Sequence, residues 1–296
     1  MNALIKALGT TRPPFLILTP ACILLGISTA MLSGHSINTL NTILIVLGGL
    51  LAHISVNMFN EYYDAKSGLD EITERTPFSG GSGTLQAHPE LSPLVFTLAL
   101  LSLFFTSLIG LYFLYISGTA LLPLGILGII IVFSYTTWIT RHPLLCLFAP
   151  GLAFGPVMVM GTHFVLAQEY SVTAFIASLV PFFLVNNLLL LNQFPDVEAD
   201  RSVGRKHIPM ILGTKKSSLI YSAMLIFAYT SLLIGVILNY LPSTSLLGLV
   251  TLALAIPAML NAYRHAEDIK KLLPTMSLNV AITIMTPTLI AIGIFI

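Results

Sequence analysis

Two short stretches hold most of the side chains in this sequence that could do chemistry. The first, Asn57-Met58-Phe59-Asn60-Glu61-Tyr62-Tyr63-Asp64-Ala65-Lys66-Ser67-Gly68-Leu69-Asp70, closes a long apolar run and gathers Glu61, Asp64 and Asp70. The second, Asn192-Gln193-Phe194-Pro195-Asp196-Val197-Glu198-Ala199-Asp200, also ends an apolar run. One and the same offset separates Asn60 from Asn192 and Asp64 from Asp196, so the stretches read as matched halves of a shared site. Residues four apart on a helix share a face. That aligns Asn60 with Asp64, and Asn192 with Asp196 and Asp200, although Pro195 either kinks the second helix or starts a new one. Facing carboxylates suit hard divalent cations, and Mg²⁺ in particular binds through one or two carboxylates plus substrate phosphates. Diphosphate leaves readily once a metal ion has neutralised and oriented it. If its organic partner is an allylic isoprenoid, departure leaves a stabilised carbocation. Arg75, Arg205 and Lys206 lie just downstream of the clusters. They either meet phosphate oxygens, arginine as a fork and lysine as a point charge, or serve as plain anchoring charges.

The elements that must hold these groups are membrane helices. The chain is 56% hydrophobic and only 8% charged, with a mean hydropathy of +0.93, far from the ~25% charge of soluble domains. Nine stretches reach the ~20 apolar residues that a bilayer crossing needs. They are predicted at roughly 14–34, 39–60, 93–116, 119–140, 144–167, 171–193, 217–239, 244–263 and 274–296. Lipid requires every backbone group to be satisfied within the segment, so the expected fold is an all-α, polytopic bundle. All thirteen Lys and Arg fall in the N-terminal tail or in the connections 61–92, 141–143, 194–216 and 264–273. By the positive-inside rule that face is cytoplasmic, which puts the N-terminus and both acidic clusters inside. A carboxylate at the centre of a membrane helix costs ~2.5–3.5 kcal/mol, so acidic residues at helix ends are functional or exposed. Lys6 and Arg12 ahead of the first apolar run resemble a signal peptide, but no clean cleavage site follows, and the first span is read as retained.

Other chemistries find no support. A net charge of +1 leaves no basic patch for nucleic acid. Cys22 and Cys146 have no partner at metal-ligand spacing. Residues 75–84, Arg-Thr-Pro-Phe-Ser-Gly-Gly-Ser-Gly-Thr, lack the lysine of a P-loop and read either as a flexible loop or as a segment that closes over a ligand. Tyr135, Trp138 and Arg141 mark the cytoplasmic end of the fourth span. An aromatic ring there either stabilises an allylic cation, worth ~0.5–2 kcal/mol, or belongs to the interfacial aromatic belt, the better reading for Trp138. His53 and His163 read as hydrogen-bonded bundle residues.

The pairing of Asn60-Glu61-Tyr62-Tyr63-Asp64 and Asp70 with Asn192, Asp196 and Asp200 resembles the two Asp-rich motifs of the UbiA-type intramembrane prenyltransferases. Arg75-Thr76, Asn186-Asn187 and the run Asp200-Arg201 to Gly204-Arg205-Lys206-His207 extend the resemblance along essentially the whole chain. Asp64-xxx-Gly68-x-Asp70 and Phe154-Gly155-Pro156-Val157 to Gly161-Thr162 resemble the 1,4-dihydroxy-2-naphthoate branch of menaquinone synthesis. The resemblance implies a helical bundle around a lipid-open cavity and Mg²⁺-dependent ionisation of a polyprenyl diphosphate. It also implies attack by an aromatic acceptor, 1,4-dihydroxy-2-naphthoate, with 4-hydroxybenzoate or another quinone or lipid precursor as the alternative. Asn60, Asp64, Asp70, Asn192, Asp196 and Asp200 would hold Mg²⁺ and diphosphate, with Asp64, Asp70, Asp196 and Asp200 catalytic. Asn60, Asn192, Arg75, Arg205, Lys206, Tyr135 and Arg141 would bind substrate. Glu61 stands where the family usually shows Asp, and Gln193 and Pro195 also depart from the pattern. One domain is expected, with pseudo-repeats at roughly 14–140 and 144–263 and a final helix, in a prokaryotic cytoplasmic membrane. The rival reading from another class is a secondary transporter, which repeated halves and ionisable residues also suit.

Overall fold

The computed structural model describes residues 3–73 and 75–296, with the backbone alone at Asp70. Among the described residues, nine long helices form the bundle: α1 (Pro13–Leu32), α2 (Thr39–Ser67), α3 (Pro89–Ser117), α4 (Thr119–Ser134), α5 (Pro143–Ala167), α6 (Val172–Asn192), α7 (Thr214–Ile237), α8 (Ser243–Arg264) and α9 (Ile269–Phe295). Eight are long and apolar enough to cross a membrane, and the protein is an integral membrane protein. The exception is α4, predicted over 119–140, which stops at Ser134. The chain beyond it coils through a turn and a short 3₁₀ segment, Ile139–Arg141, and so brings Tyr135 inward.

Local chemistry sets the helix ends. Asn38 caps α2 by accepting from the Asn41 N–H, and Gly68 at φ 76° ends it in the left-handed conformation that glycine adopts without strain. This carries α2 well past the predicted boundary at residue 60 and keeps Asn60, Glu61 and Asp64 helical. In α5, Pro150 and Pro156 remove backbone donors, and Ala153–Met160 relaxes into a π-helical register.

The core centres on α6, which packs against α1, α5, α7 and α9. Polar side chains join these helices where water offers no competition. Asn187 Nδ2 donates to the Tyr221 carbonyl at 2.8 Å, Asn279 Nδ2 to the Asn187 carbonyl at 3.2 Å, and Tyr221 OH to Asn279 Oδ1 at 3.2 Å. Asn186 Oδ1 accepts from the Gly151 N–H at 2.6 Å. A second core lies between α2 and α3, where Ser55 Oγ donates to the Ala99 carbonyl at 2.8 Å.

Candidate active site

The last turns of α2 place Asn60, Glu61 and Asp64 together, with Glu61 and Asp64 buried. Glu61 is a junction. One carboxylate oxygen accepts from Arg12 Nε at 2.7 Å and from the Ser82 N–H at 2.8 Å, and the other from Ser82 Oγ at 2.6 Å. Arg12 Nη2 also donates to Asn60 Oδ1 at 2.9 Å. A carboxylate this buried is tolerated because it is paired and fully hydrogen-bonded. The glycine-rich connection is therefore fastened to α2 through Ser82, and Ser79, Gly80 and Gly81 line the cavity above it.

The second cluster is built differently from the expected single helical face. α6 ends at Asn192, a turn through Pro195 follows, and a new short helix, Val197–Ser202, begins after Asp196. Pro195 thus starts a helix rather than kinking one. Gly204 at φ 77° then folds the chain back, so that the Arg205 N–H reaches the Asp200 carbonyl at 3.1 Å. Arg205 Nη1 donates to Asp200 Oδ1 at 3.0 Å, and Arg205 Nη2 donates to Asp64 Oδ1. His207 Nε2 meets Asp200 Oδ2 at 3.0 Å. One guanidinium thus ties the two acidic clusters together. Burial works against that charge, but Asp64 and Asp200 outweigh it and hold the Arg205 pKa above its ordinary value.

Two oxygens at the site are buried without a partner, Asn192 Oδ1 and Asp196 Oδ1. Burial pushes the Asp196 carboxyl up to about 7, the Asp200 charge adds to this, and Ser79 and Arg205 oppose it. Among the described residues, no three His, Cys, Asp or Glu side chains stand at metal-ligand spacing. The donors that do converge are amide and carboxylate oxygens, two of them unengaged and others held by Arg205. Hard oxygen donors with this excess of negative charge fit Mg²⁺.

Asn60, Asp64, Asn192, Asp196, Asp200 and Arg205 all line one polar cavity of about 170 Å³. It shares a wall with a larger apolar cavity of about 350 Å³. Arg12, His53, Asn57, Asn60, Tyr135 and Phe154 face both. The apolar cavity continues between α2, α3, α4 and α5 to Leu44, Phe113 and Leu121 near their far ends. At 1.5 Å per residue, the span of α2 from Asn60 to Leu44 is roughly 24 Å.

Several expected binding residues lie elsewhere. Arg75 is exposed and donates to the Ser82 carbonyl, so its fork is spent within its own loop. Lys206 is exposed, and its contribution is a backbone N–H bond to the Thr140 carbonyl at 2.9 Å. Arg141 is exposed on the 3₁₀ segment and lines neither cavity. Trp138 is half exposed and stacks near His142, as a belt residue would. Asn186 and Asn187 join helices instead of lining the site. The Asp70 side chain lies outside the described residues. Arg141→Ala and Lys206→Ala are accordingly expected to retain near-wild-type turnover in a diphosphate-release assay, whereas a drop beyond about tenfold, ~1.4 kcal/mol, would place either at the site.

Sequence reasoning also missed residues. Arg12 reads in the sequence only as part of a stretch that resembles a signal peptide, yet its backbone takes the left-handed conformation, φ 52°, ahead of Pro13 and Pro14 and turns the side chain into the site. Its one sequence signal is isolation: no other charge lies between Lys6 and Glu61. His207 stands in the run that carries the family resemblance, but the sequence assigns it no role. His53 is hydrogen-bonded as expected, to Thr19 Oγ1 at 2.9 Å, and also faces both cavities.

The model of the UbiA prenyltransferase family matches residues 19–280. The chain belongs to the UbiA prenyltransferase family. As a UbiA-family prenyltransferase it is similar to the 1,4-dihydroxy-2-naphthoate octaprenyltransferase of Bacillus subtilis (strain 168), 28% identical over 225 residues, which cover 74% of this chain and 70% of that one. It is 25% identical over 295 residues to the 1,4-dihydroxy-2-naphthoate octaprenyltransferase of Escherichia coli (strain K12), covering 97% and 94%. Its fold resembles that of a UbiA homolog from Archaeoglobus fulgidus bound to DMAPP and Mg²⁺, with a TM-score of 0.59, 16% identity and coverage of 97% and 99%.

Proposed function

We propose that this prenyltransferase moves a polyprenyl group from a polyprenyl diphosphate to 1,4-dihydroxy-2-naphthoate, with Mg²⁺, at the cytoplasmic face of a prokaryotic cytoplasmic membrane. The observation that carries this reading is the shared wall: an acid-lined polar cavity lies directly beside a long apolar one, with Arg12, Asn60 and Tyr135 facing both. An amphipathic substrate with an anionic head and a hydrocarbon tail matches that pairing. The names of the Bacillus subtilis and Escherichia coli relatives favour the naphthoate, and the Archaeoglobus fulgidus structure, with DMAPP and Mg²⁺, favours the donor and the metal.

Asp64, Asp196, Asp200, Asn60 and Asn192, with Asp70, would hold Mg²⁺. When bound, the ion neutralises charge on the diphosphate and so eases its departure. Arg205 offers a planar fork to phosphate oxygens, and Arg12 adds a second positive charge at the wall between the cavities. The C–O bond breaks with its electron pair on the diphosphate, and an allylic cation remains. Tyr135 presents an aromatic ring at the junction, where cation–π attraction contributes ~0.5–2 kcal/mol. The ring carbon bearing the carboxylate attacks, the new C–C bond forms, and the bond to the carboxyl carbon breaks with its pair returned to the ring as CO₂ leaves. The apolar walls exclude water, which would otherwise capture the cation. Matched acidic stretches bridged by Arg205 support reading the chain as two pseudo-repeats in one domain.

The test is diphosphate release by the detergent-purified protein with geranylgeranyl diphosphate and Mg²⁺, comparing 1,4-dihydroxy-2-naphthoate, 4-hydroxybenzoate and no acceptor. Release that needs the naphthoate and vanishes with EDTA supports the reading. Release with another acceptor alone keeps the transfer and replaces the acceptor, and absence of release under every condition sinks it.

The tail cavity makes its own prediction. A Cβ added at Gly110, Gly125 or Gly161 meets nothing within 4 Å, and all three face the apolar cavity. Gly125→Phe should fill the cavity without forcing the helices apart. It is expected to lower transfer from a geranylgeranyl donor relative to a dimethylallyl donor by about tenfold or more, within the ~1–3 kcal/mol that hydrophobic pockets discriminate. Equal loss with both donors would count against a tail in this cavity.

A further inference from the structure

We infer that Arg205 couples the binding of a divalent cation to the binding of diphosphate, because the guanidinium and the cation compete for the same carboxylate oxygens. This rests on the reading of the site given above. Arg205 is the one described group that touches both acidic clusters, reaching Asp64 Oδ1 from α2 and Asp200 Oδ1 from the segment after α6. With His207 on Asp200 Oδ2, both oxygens of Asp200 are engaged. Asp196 Oδ1 and Asn192 Oδ1 are not. A cation can therefore begin at Asp196 and Asn192, but it gains Asp64 Oδ1 and Asp200 Oδ1 only in competition with Arg205.

Displacement by itself is costly. The Arg205 side chain is 16% exposed, and a buried guanidinium stripped of its carboxylates is an uncompensated charge. Diphosphate alone fares no better, since Asp64, Asp196 and Asp200 present negative charge to it while Arg205 is occupied. When both arrive, the carboxylates pass to the cation, and the fork passes to phosphate oxygens whose geometry it matches. Each ligand removes the penalty the other would incur, and by linkage the effect is equal in both directions. The turn at Gly204 lies directly before Arg205, and the arginine side chain has the length to swing between the partners. Arg205 thus contacts the diphosphate and also sets the condition for loading the site.

The experiment uses the full-length protein in detergent, Mn²⁺ as the cation followed by its free EPR signal, and methylenediphosphonate as the diphosphate probe. Because the two probes also associate in solution, wild type and Arg205→Gln are compared at identical concentrations. For wild type, Mn²⁺ affinity should rise about tenfold or more with the diphosphonate, inside the 5–150-fold range of ordinary coupling. Arg205→Gln should bind Mn²⁺ alone more tightly than wild type, and its coupling should fall below about threefold. A merely structural role predicts the opposite sign for Mn²⁺ alone. Weaker Mn²⁺ binding by the variant, or coupling as large as in wild type, overturns the inference. Arg205→Lys retains the charge without the fork and serves if the glutamine variant does not fold; reduced coupling is expected, and wild-type coupling overturns the inference. If wild type itself binds neither probe, the reading of the site falls as well.

Discussion

Asp196→Ala is expected to abolish most diphosphate release while leaving the bundle as stable as before. The two halves of that result have separate causes. Asp196 Oδ1 is buried without a hydrogen-bond partner, and burial together with the Asp200 charge lifts the carboxyl to about 7. Such a group contributes little to folding, so its removal relieves a desolvation cost. On the proposed reading the same unengaged oxygen would serve a cation that neutralises the leaving diphosphate. Losing one preorganised charge-stabilising group typically costs on the order of 10²–10³ in rate. The check is the rate of diphosphate release beside a thermal unfolding midpoint in detergent. Full activity would remove Asp196 from the site, and a collapsed midpoint would make it structural. Asp200→Ala should differ, because Asp200 holds both Arg205 and His207.

Glu61→Ala is expected to cost stability instead, about 3 kcal/mol, the lower end of what breaking a buried ion pair costs. Glu61 is fully buried, while the Arg12 side chain retains 25% exposure, so water softens the loss on one side only. The substitution leaves Arg12 without its carboxylate and frees the Ser82 N–H and hydroxyl together. Two readouts follow. The unfolding midpoint in detergent should fall, and trypsin should cut at Arg75 faster because the loop loses its fastening to α2. An unchanged midpoint with unchanged cleavage would mean that the contacts contribute nothing.

The contrast between Arg75 and Arg205 marks where the sequence stops being readable. Each follows an aspartate by five positions, Asp70 and Asp200, and both looked like phosphate ligands. What separates them is backbone geometry. Gly204 turns Arg205 back over Asp200, whereas the segment after Arg75 curls so that its guanidinium bonds Ser82. Hydropathy placed the helices and their order well, because apolar length is a local property. It overran at α4, where the uncharged stretch Tyr135 to Thr140 carries no break signal although the helix ends at Ser134. Asn60, Asp64, Asn192, Asp196 and Asp200 of the matched acidic stretches line one cavity. Arg12 escaped because its partners lie 48 and 49 residues away and no spacing rule links them.

The meeting of two cavities at one wall has a consequence for turnover. Ile129 belongs to the wall of the apolar cavity and is 40% exposed. The polar cavity, by contrast, is covered by the loop through Ser79, Gly80 and Gly81. On the proposed reading the two products partition into different phases, diphosphate into water and the prenylated product into hydrocarbon. Enlarging the hydrocarbon phase, by more lipid or more micelles per protein, draws off one product and leaves the other untouched. Catalysis at this site is set by the composition of its two solvents as well as by its side chains.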